Sequence, residues 1–75
     1  MMTDEIPDEY DYKRVVAIKP DSVSRQEWIA HLCQIMPHRA DQIRREAMEN
    51  VGKTPKVYQT YLEDQPINIL IAWED

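Results

Sequence analysis

The stretch Lys56-Val57-Tyr58-Gln59-Thr60-Tyr61-Leu62-Glu63-Asp64-Gln65-Pro66-Ile67-Asn68-Ile69-Leu70-Ile71-Ala72-Trp73 decides the fold. Side chains alternate across a strand, so Val57, Gln59 and Tyr61 share one face and Tyr58, Thr60 and Leu62 the other. Glu63-Asp64-Gln65-Pro66 interrupts the pattern as a turn. Ile67, Ile69, Ile71 and Trp73 then line one face of the most apolar strand in the chain, with Asn68, Leu70 and Ala72 on its other face. Two alternating runs about a short polar turn predict a β-hairpin.

An isolated hairpin is marginal in water, so this one needs a further strand and a covering layer. Upstream, Val15-Val16-Ala17-Ile18 forms a short β-branched run that stops at Lys19-Pro20-Asp21-Ser22. It predicts a strand from about Tyr12 to Lys19. Ser24-Arg25-Gln26-Glu27 fits a capping box, in which serine hydroxyl and glutamate carboxylate each satisfy the other residue's backbone N–H. Trp28, Ile29, Leu32, Ile35 and Met36 follow at helical spacing, with Cys33 at the border of that face. Pro37 removes a backbone donor and disfavours helix at Met36. An unbroken helix from Ser24 to Asn50 would be about 40 Å long, too long for so short a chain.

The expectation is therefore a bend at Met36-Pro37-His38, then a second helix from His38 to Asn50. Its stripe is Ala40, Ile43, Ala47 and Val51, Asp41 pairs with Arg45, and Gly52 ends it in a left-handed conformation. The predicted fold class is α+β. A three-stranded, mainly antiparallel sheet carries two helices (or one Pro-kinked helix) on one face, in the order β-α-α-β-β. The most apolar strand, the last, is expected in the centre. Lys13, Lys19 and Lys56 would then lie on or near edges, where charge discourages unwanted pairing.

At 75 residues this is one domain with a thin core. Residues 12–75 are read as that domain and residues 1–11, acidic and without periodicity, as a flexible arm. One cysteine, Cys33, allows no internal disulfide, which suits a reducing compartment. Met1 to Glu5 shows no basic region leading into an apolar run, and Ile69 to Trp73 is far shorter than the ~20 residues of a membrane span. A cytoplasmic location, away from membranes, is expected.

The net charge of −5 is unevenly placed. Asp4, Glu5, Asp8, Glu9 and Asp11 crowd the start, and Glu63, Asp64, Glu74 and Asp75 lie towards the end. All nine lysines and arginines fall between Lys13 and Lys56. Acidic ends thus flank a basic helical middle.

Catalytic and metal chemistry find little support in this pattern. His31, Cys33 and His38 supply at most three ligands, and structural zinc takes four. They are better read as a border thiol and two surface histidines, and no metal or cofactor is expected. A mid-helix cysteine beside a core face is usually a small hydrophobe, and Gly52, the only glycine, cannot form a phosphate loop. Enzyme activity is not expected. Arg39, Arg44, Arg45, Lys53 and Lys56 form no single stripe, and Asp41, Glu46 and Glu49 are interleaved among them.

The expected function is protein binding, as a regulator or inhibitor acting by steric occlusion or by charge mimicry of nucleic acid. Its partner would present a basic surface. The expected partner-binding residues are Asp8, Glu9, Tyr10, Asp11 and Tyr12, then Glu63 and Asp64, with carboxylates standing in for phosphates and rings for bases. Tyr58, Tyr61 and Trp73 are further aromatic candidates. Many accessory proteins of phages and mobile elements are small acidic domains of this kind, an analogy only. The alternatives are nucleic-acid binding through the basic middle, and a structural or assembly role with a homodimer through an edge strand or the open sheet face.

Overall fold

A computed structural model describes residues 11–75. Its elements are β1 (Tyr12–Ala17), α1 (Arg25–Ile35), a 3-10 turn (Pro37–Arg39), α2 (Ala40–Glu49), β2 (Thr54–Leu62) and β3 (Gln65–Glu74). The order is β-α-α-β-β, with a three-stranded antiparallel sheet. The arm expected over residues 1–11 lies outside the described residues except for Asp11.

The capping box at the start of α1 is formed. Glu27 N–H donates to Ser24 Oγ at 3.1 Å, and Ser24 N–H donates to Glu27 Oε1 at 3.0 Å. These bonds hold the Glu27 carboxyl below its usual range, the backbone bond from Ser24 contributing most. Pro37 ends α1, and the chain turns through Pro37–Arg39 into a separate second helix. Gly52 adopts φ +86°, left-handed as expected, two residues beyond Asn50, the α2 C-cap. An added Cβ there would meet nothing within 4 Å, so any cost of substitution is conformational.

The core is Trp28 and Leu32 of α1, Ile43 of α2 and Val57 of β2. Ala17, Val23, Ile29, Cys33, Met36, Ile69, Ile71 and Trp73 pack around it. Residues opposite each other in a sheet share a face. The rows Ala17–Val57–Ile71 and Pro55–Trp73 therefore face the helices, and Val15–Tyr58–Leu70 lies on the open face. The Trp28 indole N–H donates to the Pro55 carbonyl at 2.8 Å, satisfying both groups inside the core.

The C-terminal end of α2 is closed by a distant residue. Arg25 Nη2 donates to the carbonyls of Ala47 (3.0 Å) and Asn50 (3.1 Å), and its Nε donates to Lys53 O at 2.6 Å. A cation at a helix C-terminus also complements the helix dipole. The same guanidinium sits 5.9 Å from the Trp73 ring centre, and the Trp73 indole N–H donates to Glu46 Oε1 at 2.8 Å. The start of α1, the end of α2 and the end of β3 are joined at this point.

Four expectations are corrected. First, β2 is central and β3 is an edge, in the order β1-β2-β3. Apolarity was a poor guide to position, because the helices bury one face of β3 while, among the described residues, β2 is the strand that pairs with it. Lys56 accordingly lies on the central strand, where it pairs with Glu74 at 3.0 Å. Second, Ile67 does not share the burial of Ile69 and Ile71. The register between β2 and β3 shifts between Gln59 and Tyr61, and Ile67 is 44% exposed. At that irregularity Thr60 is 1% exposed, and its hydroxyl both donates to Asn68 O and accepts from Asn68 N, each at 3.1 Å. Third, Asp41 pairs at 2.7 Å with Arg44, three residues on, rather than with Arg45, four residues on. Fourth, Val51 lies beyond α2 and is 81% exposed, so it adds nothing to the helix stripe.

Candidate functional site

The hairpin loop holds two residues, Glu63 and Asp64, between the paired Leu62 and Gln65. Both have positive φ, 52° and 65°. Two left-handed residues make the type I′ turn that matches the twist of a two-residue hairpin, and Asn-Gly is the preferred sequence there. Non-glycine residues cost roughly 1–2 kcal/mol each in this conformation. A glutamate beside an aspartate is thus an unfavourable choice for the turn's own stability.

β1 brings Asp11 and Tyr12 to this turn. The pairing Tyr12↔Tyr61 stacks the two rings with centres 4.7 Å apart and planes 6° apart. Asp11 N–H donates to Tyr61 O at 2.9 Å, and Asp11 Oδ2 accepts from the Glu63 N–H at 2.6 Å. The Tyr12 hydroxyl donates to Asp64 Oδ1 at 3.3 Å. Asp11 is therefore hydrogen-bonded to β2 and to the hairpin turn. The Tyr12 hydroxyl is pushed above its ordinary pKa, first by desolvation and then by the Asp64 carboxylate.

Of the partner-binding residues expected from sequence, Asp11, Tyr12, Glu63 and Asp64 converge on one exposed end of the sheet. Asp8, Glu9 and Tyr10 lie outside the described residues. Tyr61 completes the end as the ring beneath Tyr12. It was an aromatic candidate in the sequence, and only the strand register shows which partner it takes. The C-terminal acids do not join them. Glu74 is at the far end of β3, about 30 Å away at the rise of a strand. There it accepts from Lys56 and, at 3.0 Å, from the Tyr58 hydroxyl. Those bonds hold the Glu74 carboxyl below its usual range, the Lys56 bond contributing most, and raise Lys56 in return. Tyr58 is also raised, by desolvation first and then by Glu74.

The remaining candidates are dispersed. His31 stacks on Trp28 with ring centres 5.5 Å apart. The Cys33 thiol faces the Ala40 carbonyl at 3.8 Å. A shallow cleft of about 270 Å³, lined by Pro20, Val23, Trp28 and His31, offers one polar ring and no converging group. Among the described residues no helix is long and apolar enough to cross a membrane.

No protein-family model matches this chain, and neither does any curated protein or solved structure.

Two outcomes are expected at these groups. Replacing Glu63-Asp64 by Asn-Gly should stabilise the domain by about 1 kcal/mol, raising the melting temperature by roughly 4–8 °C. Part of the gain is offset by loss of the Tyr12–Asp64 bond; an unchanged or lower melting temperature would argue against strain in the turn. The second concerns pH. Glu27 and Glu74 have lowered pKa values, so their stabilisation is complete above about pH 4.5 and disappears as pH falls through those lowered values. Tyr12, Tyr58 and Lys56 have raised values, so their contributions are complete below about pH 10 and are lost as pH rises beyond it. Urea midpoints at stepped pH should fall on the acid and alkaline sides of that window. A fall confined to its middle would place the controlling group elsewhere.

Proposed function

We propose that this chain is a protein-binding regulator or inhibitor, acting in the cytoplasm, whose contact surface is the acidic, aromatic end of the sheet. The observation that carries this reading is the bond from the Glu63 amide to Asp11, which draws two acidic segments far apart in sequence onto one edge. Asp11, Glu63 and Asp64 supply carboxylates, and the stacked Tyr12 and Tyr61 supply rigid contact area. A turn that sacrifices stability to hold two acids fits a site kept for contact. Asp8, Glu9 and Tyr10 precede Asp11 in the sequence and have the same acidic and aromatic character. A basic, nucleic-acid-binding surface is the complementary partner, which this end would occlude by presenting carboxylates in place of phosphates. No catalytic role is proposed for any residue.

The nucleic-acid-binding alternative draws less support, because much of the basic middle is engaged internally. Arg25 closes α2, Arg44 pairs with Asp41, Lys56 with Glu74, and Lys19 donates to the carbonyls of Pro20 and Val23. Lys13 sits over the Tyr58 ring.

Affinity capture followed by mass spectrometry tests the proposal, using the full chain and a Glu63→Lys/Asp64→Lys variant. The full chain should recover a partner that is released by added salt and by duplex DNA as competitor, and the variant should recover about tenfold less. Equal recovery by both chains, or indifference to the polyanion, would overturn it.

A further inference from the structure

The two edges of the sheet are built differently. β1 has six residues, carries Lys13 and Arg14, and is irregular between Val15 and Ala17. Shortness, charge and bulges are the usual protections against edge-to-edge pairing, and β1 has all three. β3 has ten residues and no charged residue from Gln65 to Trp73. Beyond the irregularity near Asn68 it runs regularly through Ile69, Leu70, Ile71, Ala72 and Trp73 opposite β2. Its one charge, Glu74, is already matched by Lys56.

We propose that β3 pairs antiparallel with β3 of a second copy of this chain, about a two-fold axis at Leu70, doubling the three-stranded sheet. This inference stands apart from the acidic end and uses none of its residues. A two-fold antiparallel pairing sets each residue against one on the same face. Around Leu70 it places Ile69 against Ile71 of the second copy on the helix side, and Leu70 against Leu70 on the open side. Both faces of the seam are thus apolar at once, as self-pairing requires. The open-face row Val15–Tyr58–Leu70 would continue into its own image, covering Leu70, which is 41% exposed in the single chain. Charge counts against one neighbouring register: an axis at Ile69 would set Glu74 against Asp64, whereas the axis at Leu70 sets Glu74 against Pro66. The two hairpin turns then lie at opposite ends of the pair.

Sedimentation equilibrium of the full chain, from micromolar to submillimolar, tests this. The expected mass at the upper end is twice 8.9 kDa. Leu70→Lys sets two ammonium groups across the axis and should raise the dimer dissociation constant at least about tenfold. Val15→Lys alters the same open-face row on the other edge and should leave the dimer intact. Mixing Leu70→Lys with Leu70→Glu should restore a dimer of the two. On the unaltered chain, amide exchange from Ile69 to Trp73 should slow as concentration rises. A single-chain mass throughout, with exchange independent of concentration, would overturn the proposal and show the edge uncovered or covered within the chain. Dissociation by Val15→Lys as strong as by Leu70→Lys would overturn it in favour of the open face.

Discussion

Trp28→Ala is expected to leave a large fraction of the chain unfolded. Trp28 is buried at the centre of the core, and removing so large a side chain typically costs about 3–5 kcal/mol. The Pro55 carbonyl would also lose its donor inside the protein, a further cost of roughly 1–3 kcal/mol. A domain of 75 residues has only about 4–11 kcal/mol in total, at the usual stability per residue. Urea unfolding followed by far-ultraviolet circular dichroism measures the loss. Trp28→Phe separates the two contributions, since it retains most of the volume and orphans only the carbonyl. A loss below about 1 kcal/mol for Trp28→Ala would show that Leu32, Ile43 and Val57 hold the fold without it.

Arg25→Ala should cost about 2–4 kcal/mol, a large effect for a side chain at the surface. Hydrogen bonds from a charged group contribute about 1.5–3 kcal/mol, and this guanidinium makes three to carbonyls at and beyond the end of α2. Arg25→Lys keeps the charge and loses the planar fork, so it should recover only part of the loss. If lysine restored full stability, the general charge at the helix end would matter and the geometry would not. Equilibrium unfolding of the three chains in parallel decides between these outcomes.

These two residues also mark the limit of what could be read from the chain. The capping box was legible because Ser24 and Glu27 are three residues apart and their bonds are local. The break at Pro37 was legible because proline acts on its own backbone and that of its neighbour. Arg25 gave no signal, because its partners lie 22 to 28 residues away and are backbone carbonyls, which every residue has. Strand order was misread because side-chain apolarity reports on faces, whereas position in a sheet is decided by which backbone edge is paired. The acidic residues of the candidate site were each visible in the sequence. Their meeting depends on the register Tyr12↔Tyr61 and the bond from Glu63 to Asp11, both long-range. The same register logic sends Glu74 to the opposite end, which charge counting could not foresee.

The Thr60 hydroxyl has a consequence for strand slippage. β3 is apolar on both faces, with Ile69, Ile71 and Trp73 on one and Leu70 and Ala72 on the other. A hairpin displaced by one residue would exchange those faces, replacing Ile69, Ile71 and Trp73 against the helices by Leu70 and Ala72, so burial already disfavours the slip. Thr60 holds the Asn68 backbone through both its N–H and its carbonyl, and a one-residue slip would break both bonds. A single buried oxygen thus adds two bonds to the observed alignment over a one-residue slip, a contribution that valine, of about equal size, could not make.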